Sequence, residues 1–276
     1  MLINMIKAGE ASGSLDETLE SLATHYEKQH MTKQKIISAL AYPAVVGVIA
    51  IAVVIFLLVA VVPTFVTMLA DFGGELPAIT QFVLGSSEFM QKYWYLVTAG
   101  MAGMAAAVRV LKKNRRTKYY FDYAMLRMPI FGSIIQKAAL ARMTRTLSSL
   151  FSSSVPILQA LAIVEKVVEN EVVGRVLRNS RNALEKGTSL TEPMKDHWAF
   201  PPLVTQMIAI GETTGSLDSM LGKVADFYEK EVENSTDRLK SLIEPLMIVV
   251  LAALVGTIVT SIMVPMFEIF NNVQGY

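Results

Sequence analysis

Residues 44–62 read AVVGVIAIAVVIFLLVAVV, a run with no charged or amide side chain. At about 1.5 Å per residue, a helix of this length approaches the roughly 30 Å hydrocarbon core of a bilayer. Two further runs share the character. Tyr93–Val108 reads YWYLVTAGMAGMAAAV and needs its flanks to reach full length, and Leu246–Val264 reads LMIVVLAALVGTIVTSIMV. Pro43 and Pro63 bracket the first run and Pro245 and Pro265 the third, each pair 20 residues apart. Prolines are expected where a helix can lack an N–H, in its first turn or at its end. Ala99, Gly103 and Ala107 put small residues at every fourth position of the middle run, a face that allows close helix approach in lipid. Trp94 and its neighbouring tyrosines suit the aromatic belt at a membrane interface.

Composition agrees. Of 276 residues 53% are hydrophobic and 18% charged, against about 25% charged in an ordinary soluble domain. The net charge of +1 offers nothing to nucleic acid. The absence of cysteine excludes disulfides, thiolate metal sites and cysteine nucleophiles. The first residues lack a basic segment leading into an apolar core, so no cleavable signal peptide is expected.

Lys and Arg placement orients the spans. Lys28, Lys33 and Lys35 precede the first. Arg109, Lys112, Lys113, Arg115, Arg116 and Lys118 follow the second, and Arg238 and Lys240 precede the third. The stretch 64–92 has only Lys92 against Asp71, Glu75 and Glu88, and the tail beyond Pro265 has no Lys or Arg. The N-terminus and the segment 112–243 are therefore expected in the cytoplasm, with 64–92 and the C-terminus outside.

The chain repeats itself. MIKAGEASGSLDETLESLATHYEK (5–28) aligns without gaps to MIAIGETTGSLDSMLGKVADFYEK (207–230), with 13 of 24 positions identical. The same offset pairs Pro43 with Pro245 and Pro63 with Pro265. Each copy reads as helix, turn, long helix and span. Gly13 and Gly215 suit a left-handed helix C-cap, and Ser14 and Ser216 the following N-cap. Glu10 and Glu212 each follow a glycine, Gly9 and Gly211, near the end of an apolar helix. A carboxylate opposes the helix dipole there, which hints at a fixed partner. The motif reads as a structural hinge or as a subunit or metal contact.

The expected fold class is all-α: a polytopic membrane protein with three transmembrane helices, a cytoplasmic helical-bundle domain and an internal repeat. Residues 1–39 form the end of a first cytoplasmic helical domain. Span 1 covers 40–63, an extracytoplasmic loop 64–92, span 2 93–111, the second cytoplasmic bundle 112–243, span 3 244–267 and an outer tail 268–276. In the bundle, Pro129 and Gly132 break one helix, SSSVP (152–156) turns the chain, and Asn170 can N-cap a helix ending at Gly187.

LARMTRTLSSLFSSSVPILQAL (140–161), the Gly187–Leu190 turn, FPPLVTQMIAIGETTGSLDSML (200–221) and EPLMIVVLAALVGTIVTSIMVPMF (244–267) resemble the signature stretches of the type II secretion F family. That family includes the platforms of type IV pilus and competence-pilus machines. The likeness covers essentially the whole chain. It departs where the family usually has Gly and this chain has Ser154, so a tighter or bent turn is expected. The helices matching roughly 119–202 have no counterpart ahead of the first repeat copy. The stripe Leu15, Leu19, Leu22 and Tyr26 is thus expected to lack packing partners, in a chain that is a fragment or is completed by another polypeptide.

Enzyme chemistry finds no foothold. There is no phosphate loop, since Gly222-Lys223 lacks both its Ser/Thr and the earlier Gly. In HYEKQH (25–30) the histidines are five apart, off the shared face a zinc helix needs. His197, beside Trp198, reads as a surface or packing residue, and no G-x-S-x-G elbow exists. A transporter or channel subunit is the rival class, but the three span cores carry no ionisable residue.

The resemblance implies a non-enzymatic scaffold without cofactors or bound metal, in the bacterial inner membrane. It would couple a cytoplasmic assembly ATPase to the polymerisation of pilin or pseudopilin subunits. It also implies other inner-membrane machine components as partners, the lipid bilayer, and homo-oligomerisation. Candidate contacts are Glu10, Glu212, Arg142, Arg145 and the Arg115–Arg116 pair, the last also readable as a topogenic anchor.

Overall fold

The computed structural model describes residues 2–3, 5–6, 10, 15–64, 78–111 and 114–274. Among these the chain is all helical. The helices are α1 (Leu15–Phe56), α2 (Ala78–Leu111), α3 (Arg115–Arg127), α4 (Phe131–Ser152) and α5 (Ile157–Val167). They are followed by α6 (Glu171–Glu185), α7 (Glu192–Lys195), α8 (Pro202–Thr214) and α9 (Leu217–Gln274). The chain divides into two compact units, Met1–Ser38 with Val110–Leu239, and Ala39–Arg109 with Lys240–Tyr276.

In the first unit α3, α5 and α8 are short, and α4 packs on α3 and α5 while α6 packs on α3, α5 and α7. Leu140, Met143, Leu147 and Leu150 recur at three- and four-residue spacing along α4 and are fully buried. They join Leu161, Val164, Val173, Leu177, Ile208 and Leu221 in one core. Helix α6 starts at Asn170, whose Oδ1 accepts from Val172 and Val173 N–H at 3.1 Å each, while Asp122 Oδ2 accepts from Glu171 N–H at 2.7 Å. Three of the first turn's orphan donors are thereby satisfied.

Residues 2–38 belong to this same unit. Met5 and Leu22 lie in its core. The stripe expected to lack packing partners divides, with Leu22 alone departing from that expectation. Leu22 is buried, but Leu15, Leu19 and Tyr26 are 40%, 48% and 47% exposed. The packed face of α1 is instead Thr18, Leu22 and His25, spaced by four and three. A hydroxyl and an imidazole hid that face from a search for apolar periodicity. In the second repeat copy the residues aligned with Leu19, Leu22 and Tyr26 of the expected stripe are Leu221, Val224 and Tyr228, and all three are buried.

Among the described residues three loop residues other than glycine take positive φ. Ser154 (φ 55°) closes the α4–α5 turn, with its N–H on Phe151 C=O and Val155 N–H on Leu150 C=O, both at 2.9 Å. This is the position where a tighter or bent turn was expected. Ile130 (φ 68°, ψ −62°) centres a γ-turn from Pro129 C=O to Phe131 N–H at 2.8 Å, a strained conformation for a β-branched residue. Gly132 follows because a Cβ there would lie 2.3 Å from Leu126 O. The third is Glu169.

Among the described residues two helices are long and apolar enough to cross a bilayer, the stretches Thr18–Thr64 and Leu217–Ser261, and their apolar segments belong to the second unit. Their apolar residues face outward: Val48 is 68% and Val249 64% exposed. Pro43 lies inside α1, and Pro245 and Pro265 lie inside α9, not at helix ends as expected. One proline removes one backbone bond, whereas ending the helix there would leave four carbonyls unpaired. A π-helical turn, Leu57–Val61, follows α1. Ser87 Oγ on α2 donates to Leu58 C=O in that turn at 2.6 Å, and Thr80 Oγ1 donates to Ser261 C=O at 2.7 Å. Between them Val62, Val83 and Ile258 form a small core. Helix α2 begins at Ala78, so residues 78–92 of the expected loop are helical, while 65–77 lie outside the described residues.

Candidate functional site

The repeat motif is resolved in its second copy. Gly215 ends α8 at φ 70°, ψ 17°, a left-handed cap. Gly215 N–H bonds Gly211 C=O, and Ser216 N–H reaches the same carbonyl at 3.0 Å, as in a Schellman turn. The Ser216 carbonyl accepts from Met220 N–H at 3.1 Å, which opens α9, and its hydroxyl sits 2.6 Å from Thr214 Oγ1. Gly211 is required by close approach, since a Cβ there would be 2.9 Å from Leu217 Cα.

Glu212 has its fixed partner inside the unit. Its two oxygens accept from Ser189 Oγ at 2.6 Å and Leu190 N–H at 2.9 Å. The carboxylate latches the 187–191 loop onto α8, which answers its poor position against the helix dipole. In the first copy Glu10 is exposed, and Gly9, Gly13 and Ser14 lie outside the described residues.

Arg145 on α4 centres an ionic seam that reaches two other helices. Its Nε and Nη2 donate to Glu229 Oε1 and Oε2 at 2.8 Å each, and Nη2 also reaches Asp226 Oδ1 at 2.5 Å. Lys28 from α1 joins at 2.6 Å from the same Asp226 oxygen. Two turns farther along α1, Lys35 meets Glu233 at 2.5 Å. Burial would raise the Asp226 carboxyl, but the hydrogen bonds from Lys28 and Arg145 outweigh it and hold the group below its usual range. Burial acts against the Arg145 charge, and bonds to Glu229 and Asp226 more than restore it.

Behind the seam lies His25, 3% exposed, with Nδ1 3.3 Å from Ser149 Oγ. Burial foremost, then the Arg145 charge, pushes it from 6.5 down to about 4, against an upward pull from Glu229. Ser149, Asp226 and Glu229 are not singled out by the sequence, which offers His25 only in a spacing unsuited to zinc and Lys28 only as an orienting charge. The available signal was the polar spacing along α1 opposite a basic edge on α4.

Arg142 stands one turn from Arg145 but is differently placed. It is half-exposed and pairs at 2.9 Å with Glu169, whose side chain is largely in solvent. Lys137 pairs with Glu231 at 2.8 Å. Arg115 and Arg116 are the first residues of α3. The structure thus gathers Arg145 and Arg142 onto one helix and leaves Glu212 at a separate turn.

The family description "Type II secretion system (T2SS), protein F" matches residues 1–63 and 143–265. The chain belongs to the type II secretion system protein F family. It is 40% identical over 271 residues to a type IV pilus assembly protein PilC of Pseudomonas aeruginosa, covering 98% of this chain and 72% of that protein. It is 39% identical over 275 residues to PilC of Thermus thermophilus, covering 99% and 68%. It is 35% identical over 273 residues to a type II secretion system protein F of Aeromonas hydrophila, covering 98% and 70%. The two matched stretches of this chain each hold one copy of the GE-x-x-GSLD motif.

Proposed function

We propose that this chain is a non-enzymatic platform in the bacterial inner membrane, which couples a cytoplasmic assembly ATPase to polymerisation of pilin or pseudopilin subunits. The observation that carries the reading is the continuity of α1 and α9. Each is one helix that is ion-paired in the bundle at one end and presents an uncharged, outward-facing apolar segment at the other. A motor acting on the bundle would act on two helices that each continue in sequence into an uncharged, bilayer-length stretch.

Three spans fit the Lys/Arg distribution, with α2 as the third. Support comes from α2's packing through Thr80, Val83 and Ser87 against residues of both apolar helices. The bundle and N-terminus then face the cytoplasm, with the C-terminus outside. Two matched family stretches support the internal repeat. A Cβ added at Gly100 or Gly103 would meet nothing within 4 Å among the described residues, leaving a small-residue face open for another helix and for homo-oligomerisation. The names of the relatives place them in pilus assembly and type II secretion. Of the candidate motor contacts, Arg142 is the one available at the surface of α4, whereas Arg145 and Glu212 are engaged within the unit.

The test is copurification of the assembly ATPase with the full chain from membranes at low and high salt, with Arg142→Glu as the variant. Salt-sensitive copurification weakened by the variant supports the reading. A membrane-embedded, folded chain that never retains the ATPase contradicts it.

A further inference from the structure

A cavity of about 170 Å³ opens between α1 and α4 in the bundle unit. Its walls change character in one direction. Along α1 they pass from His25 through Lys33 to Ile36 and Ile37, and along α4 from Arg145 and Arg142 to Ala138. The residues of each helix are spaced by turns, so each set shares a face. Lys33, Arg142 and Arg145 stand against the one carboxylate of Glu229.

The cations differ in availability. Arg145 is held by Glu229 and Asp226. Among the described residues Arg142 pairs only with the solvent-exposed Glu169, a pair that a better anion displaces easily. Lys33 has no ion pair among the described residues. The cavity thus offers two free-handed cations beside an apolar wall.

The sequence of α1 gives the direction of that wall. Lys35 is the last charge before Asp71, and from Ile36 onward the chain carries none for 35 residues. Ile36 and Ile37 therefore end the cavity where the uncharged stretch of α1 starts, and Lys33 and Arg142 stand on its polar side. An occupant must be anionic at one end and apolar at the other, with the apolar end toward the membrane-bound part of α1. We infer that the cavity seats the headgroup phosphate of an anionic phospholipid, held by Lys33 and Arg142, with the start of an acyl chain along Ile36, Ile37 and Ala138. The inference rests on the membrane reading above. Basic pockets beside membrane-entering helices suit such headgroups because lipid phosphate and arginine pair in two-pronged geometry.

The experiment uses the full chain in nanodiscs of phosphatidylcholine alone or with phosphatidylglycerol, and follows thermal unfolding and retained lipid. Phosphatidylglycerol is expected to raise Tm of the wild type. Phosphatidylcholine with added inorganic phosphate is expected not to. The double variant K33Q/R142Q should lose the shift and retain phosphatidylglycerol about tenfold less well, with its Tm in phosphatidylcholine unchanged. K33Q alone, which removes no ion pair among the described residues, should lose part of the shift. K92Q, a control cation elsewhere, should keep all of it. An equal shift in wild type and K33Q/R142Q overturns the proposal, and so does a shift produced by inorganic phosphate alone. Release of the chain from membranes by alkaline carbonate would instead overturn the membrane reading beneath it.

Discussion

Arg145 and Glu229 face each other with two parallel hydrogen bonds of 2.8 Å, and their side chains are 13% and 19% exposed. This pair ties α4 to α9, and Lys28 ties α1 to the same acidic residues. The helices joined at the seam include the two that carry the apolar segments.

The first prediction concerns that pair. Arg145→Ala leaves Glu229 half-buried without its main partner and is expected to destabilise the bundle by about 2–3 kcal/mol. Arg145→Lys should recover less than half, because one ammonium cannot match both carboxylate oxygens. Urea unfolding of both variants checks the order. Equal stability of Arg145→Lys and wild type contradicts the two-pronged account.

His25 sets a pH dependence. Its folded value of about 4 lies below the ordinary 6.5, so between these values the unfolded chain binds more protons. Stability from this group is complete above pH 6.5 and is lost as pH falls toward 4, by about 2 kcal/mol. The charged groups facing it are Arg145 on α4 and Glu229 on α9. Burial lowers His197 as well, which adds a smaller loss of the same sign. His25→Asn should flatten the stability curve between pH 6.5 and 4 relative to wild type. Parallel curves for the two proteins contradict a buried neutral imidazole.

Ser154 takes a left-handed conformation that costs an L-residue about 1–2 kcal/mol. Ser154→Gly is expected to stabilise by about 0.5–1 kcal/mol, after the greater freedom of glycine in the unfolded chain is counted. Ser154→Val should destabilise. Thermal unfolding reads both, and a Tm for the glycine variant below wild type contradicts the assignment.

Glu212 closes the 187–191 loop. Glu212→Ala removes both acceptors and should speed exchange of the Leu190 amide hydrogen at least tenfold, with a loss of about 1–2 kcal/mol. Ser189→Ala, which removes only the hydroxyl partner, should cost less. Unchanged Leu190 exchange in Glu212→Ala rules out the latch.

Local signals were the legible ones. Gly215 after an apolar helix and Asn170 before another announce caps through their own backbone chemistry, and both sit at helix ends in the structure. The apolar runs of α1 and α9 were equally plain. The packed face of the N-terminal helix was not, because Thr18 and His25 are polar and only tertiary contact with Ser149 makes that face the inner one. The prolines misled for a related reason. Pro43, Pro245 and Pro265 look like helix boundaries from local chemistry, but α1 and α9 run through them. The start of α2 at Ala78 was hidden because Thr80 and Ser87 are polar, and their role is to reach carbonyls on neighbouring helices. The Arg145 seam needed three helices far apart in sequence and could not be read from any one of them.

The chain has no cysteine, so single introduced cysteines report membrane sidedness without background. Asn179→Cys lies at an exposed position of α6 in the bundle and Glu88→Cys at an exposed position of α2. The decisive measurement is labelling of each in intact and permeabilised cells with a membrane-impermeant maleimide. The platform account predicts that Glu88→Cys is labelled in cells whose inner membrane is intact, and Asn179→Cys only after permeabilisation. Labelling of both from the same side would mean that α2 does not cross, and would contradict a three-span platform with a cytoplasmic bundle.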